Sequence, residues 1–90
     1  MKTKVIFRKF KNGDVIALFP ELPAYNYYIT CYEHFGQHGS ADYYGVLDQT
    51  KLATPEDYAE LKIELERIGY DVVVYKRYTY HMHNIAQQNM

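Results

Sequence analysis

A chain of 90 residues, 48% of them hydrophobic and 23% charged, has room for one folded domain and lacks the composition of a disordered segment. Its formal net charge of -1 excludes a protein that coats polyanions by overall charge, and its single cysteine excludes an intrachain disulfide. The N-terminal stretch lacks the apolar core of a signal peptide, and no apolar run reaches the roughly 18 residues of a membrane span, so we expect a cytoplasmic protein without membrane contact.

The first predicted element is a β-hairpin. Two β-rich runs, TKVIFRKF and VIALFP, flank Asn12 and Gly13, a pair that accepts the positive φ values of a two-residue type I′ turn. Such a turn pairs Phe10 with Val15, and the alternation of side chains then gives the hairpin two apolar faces. One predicted face holds Val5, Phe7, Ile16 and Leu18, and the other holds Ile6, Phe10, Val15, Ala17 and Phe19.

The next segments are a predicted loop, a strand and an irregular stretch. Pro20 and Pro23 cannot donate to a sheet ladder, so residues 20–26 are expected to form a loop. The run YYITCYEH predicts a third strand, with Thr30 and Tyr32 on one side and Cys31 on the other. Residues 35–45 contain three glycines and are predicted to be irregular, followed by a short extended segment in GVLDQT.

One helix is marked at both ends. Thr54 is the expected N-cap, Pro55 occupies the first helical position, and Asp57 completes a capping box. Gly69 is the expected residue just beyond the C-terminus. Between these signals, one buried stripe is predicted from Tyr58, Leu61, Leu65 and Ile68.

The remaining sequence completes an α+β domain. The run YDVVVYKRYTYH predicts a fourth strand, and residues 81–90 are expected to form a flexible C-terminal tail. Residues 1–80 are therefore predicted to form a single domain with a mostly antiparallel four-stranded sheet and one helix on one face, in the order β-β-β-loop-α-β.

Three motifs resemble a known group of proteins. The runs FRKFKNGDVIALFPE, GQHG and TPEDYAELKIELERIGYDV, spread over residues 4–77, are similar to short uncharacterised bacterial proteins from gut anaerobes and their mobile elements. That resemblance implies a bacterial cytoplasmic setting. The group has no known function, so the resemblance implies no activity.

The cysteine and several histidine residues are candidate metal ligands. Cys31, His34 and His38 have zinc-like spacing, and His81 and His83 form a second pair. In a strand, however, Cys31 and His34 point to opposite faces. We therefore expect no bound metal and no cofactor.

The stretch between the third strand and the helix also contains the residue types of a nucleophilic site. His38, Ser40 and Asp42 lie close together in sequence, but catalytic triads are assembled in space and need an oxyanion hole. We find no recognisable catalytic constellation and expect a protein that is not an enzyme. The alternative for this stretch is a glycine-flanked binding loop formed by Gly36, Gln37, His38, Gly39 and Ser40.

Basic and aromatic residues suggest a nucleic-acid alternative. Aromatic rings interleaved with Arg and Lys on a sheet form platforms on which single strands stack. The candidate contacts are Arg8, Lys9, Lys11, Tyr75, Lys76 and Arg77.

The two apolar faces of the hairpin decide between these alternatives. A single helix covers only one face of the sheet, and an uncovered apolar face usually marks an interface. We therefore expect a small non-enzymatic binding module that acts through protein contacts and forms a homodimer or binds an unknown protein partner. A binder of single-stranded nucleic acid is the alternative.

Overall fold

The computed structural model describes residues 2–24, 28–33 and 37–89, and these form one sheet with helices packed against it. The elements are β1 (Lys2–Phe10), β2 (Val15–Pro23), β3 (Ile29–Glu33), β4 (Gln37–Ala41), α1 (Tyr43–Gln49), β5 (Thr50–Leu52), α2 (Pro55–Arg67), β6 (Asp71–Tyr75) and α3 (Tyr80–Gln88). The strand order is β4-β3-β2-β1-β5, with β6 also paired to β1. Every pairing is antiparallel except that of β1 with β6. The α+β class and the mostly antiparallel sheet are confirmed, whereas the prediction of four strands and one helix gave too few elements.

The hairpin turn has three residues rather than the predicted two. The amide of Phe10 donates to the carbonyl of Asp14 at 2.8 Å, and the amide of Gly13 donates to the carbonyl of Phe10 at 3.0 Å. Gly13 has a φ of 99°, the left-handed conformation that a three-residue loop requires at this position. The longer turn shifts the pairing by one residue along the hairpin.

This shift changes which side chains share a face. Phe7 lies opposite Ala17 rather than the predicted Leu18, and Ile6 lies opposite Leu18. Because successive side chains alternate between faces, a shift of one residue moves all of β2 to the other side relative to β1. The predicted composition of the two faces is therefore wrong, although both faces are apolar as expected.

The first face of the sheet is covered by α2. Leu61 and Leu65 from the helix are buried against this face, and Tyr58 packs beside them with its ring stacked on Phe7 at 4.3 Å. The sheet contributes Val5, Phe7, Val15, Ala17, Phe19 and Tyr32.

The second face is covered by parts of the chain that were not predicted to be helical. Tyr43 and Val46 from α1 and Tyr78, which precedes α3, pack on this face, and α3 lies against β2. The sheet contributes Ile6, Ile16, Leu18, Ile29, Cys31 and Ala41. The expectation of an uncovered face is therefore wrong, because the same chain supplies two further helices.

Several local predictions of irregular or flexible segments are also wrong. Residues 37–41 form β4 and residues 43–49 form α1, so the stretch predicted to be irregular is regular there. Residues 80–88 form α3 rather than a strand end and a flexible tail, with Met82 and Ala86 buried. Strand β2 continues through the two prolines by means of a register shift between Phe19 and Pro23. Part of the predicted loop, residues 25–26, lies outside the described residues.

The ends of α2 are as predicted. Thr54 Oγ1 accepts a hydrogen bond from the amide of Asp57 at 3.3 Å, and the Asp57 carboxylate accepts one from the amide of Thr54 at 3.0 Å. Gly69 follows the helix with a φ of 116°. The stripe is wrong at Ile68, which caps the helix and is 50% exposed. Within the described ranges no helix is long and apolar enough to cross a membrane.

The burial of α2 predicts unequal effects for two substitutions. Leu65 is 0% exposed, so Leu65→Ala should lower the free energy of unfolding by about 2–5 kcal/mol through a cavity. Ile68→Ala removes an exposed side chain and should change that free energy by less than about 0.5 kcal/mol. Urea denaturation measures both values, and similar losses would contradict the packing of α2 on the sheet.

A second prediction concerns acid stability. Hydrogen bonds from Thr54 and Lys9 lower the pKa of Asp57 from 3.8 to about 2. The native state therefore holds this proton less tightly than the unfolded chain, so the stabilisation is complete above the ordinary pKa and is lost as the pH falls through about 2. The difference in Tm between the wild type and Asp57→Asn should shrink as the pH falls toward 2. Glu56→Gln is the matched control, and an Asp57→Asn difference that stays constant with pH would contradict this account.

Candidate binding cleft

A cleft of about 440 Å³ opens where α1 and α3 begin. Its floor includes Ile29 from β3 and Ala41 from β4, both part of the second-face core. Its walls are largely aromatic. We call it the tyrosine cleft and define it by Asp42, Tyr43, Tyr44, Tyr78, Tyr80 and His83.

Two helix starts place these side chains together. Asp42 is the N-cap of α1, directly after β4, and the two tyrosines that follow it begin the helix. Thr79 is the N-cap of α3, and its Oγ1 accepts a hydrogen bond from the amide of Met82 at 3.2 Å. Because Met82 is buried, the first turn of α3 is held against the body of the protein. Both helices therefore present their N-terminal residues to the same cleft.

The aromatic rings of the cleft contact one another at fixed angles. The centroids of Tyr43 and Tyr44 are 5.3 Å apart with their rings at 84°, and those of Tyr43 and Tyr78 are 4.8 Å apart at 42°. The Tyr43 hydroxyl accepts a hydrogen bond from the amide of Tyr78 at 3.3 Å, and the Tyr78 hydroxyl lies 3.4 Å from Nδ1 of His83. Tyr43 and Tyr78 are thereby held in place by both packing and hydrogen bonds.

Two of the tyrosines project into solvent. Tyr44 is 69% exposed and Tyr80 is 79% exposed, although each carries a large apolar ring. Tyrosine combines apolar contact area with a hydroxyl that can donate or accept a hydrogen bond. The tyrosine cleft therefore offers adjacent ring faces and hydroxyl groups to a binding partner.

The charge of the cleft is negative. Asp42 contributes a carboxylate, and no lysine or arginine is among the described residues that line the cleft. Burial, and then the neighbouring Tyr44 and Tyr43, raise the pKa of Tyr78, so its hydroxyl stays neutral at physiological pH. The absence of a side chain at Gly45 leaves room for the Asp42 carboxylate, since a Cβ there would lie 3.1 Å from Oδ2.

The predicted binding loop lies elsewhere, and its described residues form a strand. Gln37 to Ser40 belong to β4 and pair with β3, while Gly36 is outside the described residues. Nε2 of His38 and the hydroxyl of Tyr70 share a hydrogen bond of 2.8 Å, and the His38 ring packs edge-on against Tyr32. Whether these residues bind a partner stays a prediction, but their backbone amides are engaged in a sheet rather than in a flexible segment.

Cys31 and His38, which were weighed for metal binding, lie on opposite faces of the sheet. Cys31 faces the second-face core, whereas His38 packs on Tyr32 of the first face. Burial raises the pKa of Cys31, which disfavours the reactive thiolate. His34 lies outside the described residues, and His83 contacts Tyr78. Among the described residues no group of three metal-ligating side chains forms.

The predicted nucleic-acid contacts are also divided. The Arg8 guanidinium donates hydrogen bonds to the Thr50 hydroxyl at 3.0 Å and to the Thr50 carbonyl at 2.8 Å. The Lys9 ammonium lies on the opposite face of the sheet, 2.9 Å from the Asp57 carboxylate. Lys11 is exposed in the hairpin turn.

The remaining three predicted contacts lie at and beyond the end of β6. Tyr75 ends the strand, with the Lys4 ammonium 5.4 Å from the centre of its ring. Lys76 and Arg77 follow in an exposed bend. The six residues therefore do not form one continuous platform.

A second hollow, of about 540 Å³, lies at the C-terminal end of α2. Tyr32, His38 and Tyr70 line it, and the Tyr70 ring stacks on Phe19 at 5.0 Å. The neighbouring Glu64 carboxylate, together with burial, raises the pKa of Tyr32. Oε2 of Glu64 is buried without a hydrogen-bond partner among the described residues. Because these polar groups mostly contact one another, the hollow offers fewer free groups than the tyrosine cleft.

The sequence contains two features from which part of the tyrosine cleft can be predicted, the tyrosine clusters and the capping signal of α3. The tyrosines at 43–44 and 70–80 are visible as clusters, but one pair was placed in an irregular stretch and the others in a strand. Thr79, followed by apolar residues at Met82, Ile85 and Ala86, has the spacing of a capped helix. That spacing could have identified α3.

Comparison with known proteins gives no relative for this chain. No family model, no curated protein and no solved structure matches it. The resemblance to short bacterial proteins stays a prediction.

The hydrogen bond inside the cleft predicts a difference between two adjacent tyrosines. Tyr43→Phe removes the acceptor of the Tyr78 amide and should lower the free energy of unfolding by about 1 kcal/mol. Tyr44→Phe changes an exposed ring and should have an effect within about 0.5 kcal/mol. Urea denaturation at neutral pH compares them, and equal values would show that Tyr43 does not anchor the cleft.

Proposed function

We propose that this chain is a small non-enzymatic binding module that holds a segment of a protein partner in the tyrosine cleft. The observation that carries the proposal is the exposure of Tyr44 and Tyr80 beside the half-buried rings of Tyr43 and Tyr78. Large aromatic side chains with this degree of exposure are available for contact, and tyrosine is enriched among residues that dominate binding energy.

The arrangement of the rings suits a chain segment. The cleft is open along the junction between two helix starts, and its volume of about 440 Å³ accommodates a few side chains rather than a large cofactor. The tyrosine hydroxyls and the Asp42 carboxylate can bond to peptide amides, while the rings contact apolar or aromatic side chains. Binding through a few rigid aromatic residues and adaptable polar contacts is typical of protein-recognition surfaces.

The charge of the cleft favours a protein over a nucleic acid. Stacking sites for single strands combine aromatic rings with Lys and Arg that neutralise phosphates. The described lining of the tyrosine cleft contains neither, and it contains Asp42. A phosphate backbone would therefore meet a negative charge beside the rings.

A different protein is better supported as the partner than a second copy of the chain. Homodimerisation was expected because one face of the sheet lacked cover, but α1 and Tyr78 pack on that face and α3 lies against β2. The homodimer stays a prediction without that support. We place the module in the cytoplasm because of its single cysteine, and in a bacterium only because of the sequence resemblance.

Selection of displayed peptides on the full chain tests the proposal. We expect a random peptide library to yield binders whose affinity falls at least about tenfold in the Tyr44→Ala/Tyr80→Ala variant. The Ile63→Ala/Ile68→Ala variant is the matched control, because it removes two exposed apolar side chains from α2, away from the cleft, and it should bind normally.

A labelled oligonucleotide of mixed sequence provides the comparison arm at low and moderate salt. We expect it to bind more weakly than the selected peptides and without dependence on Tyr44 or Tyr80. Failure to select any peptide, or binders that are insensitive to both tyrosine substitutions, would contradict the proposal. Tight oligonucleotide binding that requires these tyrosines would favour the nucleic-acid alternative.

A further inference from the structure

The Asp42 carboxylate has an unusual position in the cleft. Asp42 lines the cleft with the tyrosines at the start of α1, and none of the ion pairs and side-chain hydrogen bonds found between described residues uses its carboxylate. The acidic groups Glu21 and Asp57, by contrast, each lie 2.9 Å from a lysine ammonium. Asp42 is exposed, so its charge is compensated by solvent until a ligand arrives.

The rings around Asp42 add to its attraction for positive charge. The face of an aromatic ring carries partial negative charge and attracts a cation placed over it. Tyr43 and Tyr44 are in edge-to-face contact at 84°, whereas Tyr44 and Tyr80, 69% and 79% exposed, keep ring faces open to a cation. Several ring faces beside a carboxylate form the kind of site that recognises ammonium and guanidinium groups.

The cationic side chains near this region lie outside the cleft. Lys76 and Arg77 precede Tyr78 in the sequence but are not among the described residues that line it. The imidazole of His83 lines the cleft, and its Nδ1 lies 3.4 Å from the Tyr78 hydroxyl. No lysine or arginine of the described chain therefore occupies the position next to Asp42.

We infer that the tyrosine cleft recognises a positively charged side chain of its partner, a lysine ammonium or an arginine guanidinium, over the exposed ring of Tyr44 and beside the Asp42 carboxylate. The inference rests on the proposed function and adds the chemistry of the bound residue. The cation contacts ring faces and pairs with the carboxylate, and the neighbouring Tyr80 ring contacts the aliphatic part of the same side chain or an adjacent residue.

Small capped amino acids test this inference without a selected peptide. The probes are the N-acetyl methylamides of arginine, lysine and citrulline, the last being a neutral analogue of arginine with nearly the same shape. Each is titrated into ¹⁵N-labelled full-length protein, and amide chemical shifts report the site and the affinity. We expect the two cations to shift the amides of residues 42–44 and 78–83, and citrulline to bind about tenfold more weakly than arginine.

Two matched variants separate the role of Asp42 from general charge. Asp42→Asn should weaken arginine binding about tenfold and leave citrulline binding nearly unchanged. Asp48 is an exposed carboxylate on the same helix, but it lines a different hollow near the hairpin turn. The Asp48→Asn variant should therefore bind arginine like the wild type. Equal binding of citrulline and arginine, or equal losses in the two variants, would overturn the inference.

The outcome can be distinguished from that of the proposed function. Selected peptides that need Tyr44 and Tyr80 but show no preference for Lys or Arg would uphold the binding module and overturn the cation inference. Arginine binding that depends on Asp42, in a chain that selects no peptide, would support the cation site and contradict the protein-binding module.

Discussion

The fold depends on the burial of β1 from every direction. Val5, Ile6 and Phe7 are consecutive and essentially inaccessible to solvent, so the strand is apolar on both faces. Its edges are occupied as well, by β2 on one side and by β6 and then β5 on the other. Each large apolar side chain buried in this way contributes roughly 1.5–3 kcal/mol. A central strand of this kind requires cover above and below, which fixes the number of layers in the protein.

The two covers are built in different ways. The first is α2, a helix of 13 residues with a capping box and a buried pair, Leu61 and Leu65. The second combines α1, which has seven residues, with Tyr78, which lies between β6 and α3, and with α3, which packs against β2. Helices this short are marginal in isolation, so their position must come from packing on the sheet. A cover assembled from short pieces leaves gaps between them, and the tyrosine cleft is one of these gaps.

This difference explains how much of the fold the sequence predicted. The ends of α2 follow from signals within a few residues, Thr54 with Asp57 at one end and Gly69 at the other, and they were predicted correctly. Helix α1 begins with two tyrosines followed by Gly45 and has no buried residue among its seven. Its formation depends on tertiary contacts that a local reading does not contain.

The register of the hairpin also depends on tertiary contacts that the local sequence does not contain. Asn12 and Gly13 suit a two-residue turn and also a three-residue turn that ends with a left-handed glycine. The local sequence does not choose between them. The observed turn places Phe7 on the same face as Ala17 and Phe19, where Leu65 also packs, so the cover on that face stabilises the register. The composition of each face therefore follows from the whole fold rather than from the turn.

The tyrosine cleft could not be predicted from local sequence either. Its parts, residues 42–44 and 78–83, are separated by β5, α2 and β6, and only the sheet brings them together. The sequence showed that tyrosines were numerous and clustered. It did not show that two clusters meet at a pair of helix starts, because neither helix was predicted.

The fold and the cleft share residues, and this has a consequence for binding. Tyr43 and Tyr78 belong to the second-face core and also form walls of the cleft, so the packing that stabilises the sheet holds these two rings still. A preformed wall loses little conformational freedom when a partner arrives. Tyr44 and Tyr80 are free of the core, but a tyrosine has only two side-chain torsions to fix. Under the proposed function, the cover of the second face preorganises the cleft. Substitutions in its inner pair of tyrosines should then affect stability and binding together, and those in the outer pair should affect binding alone.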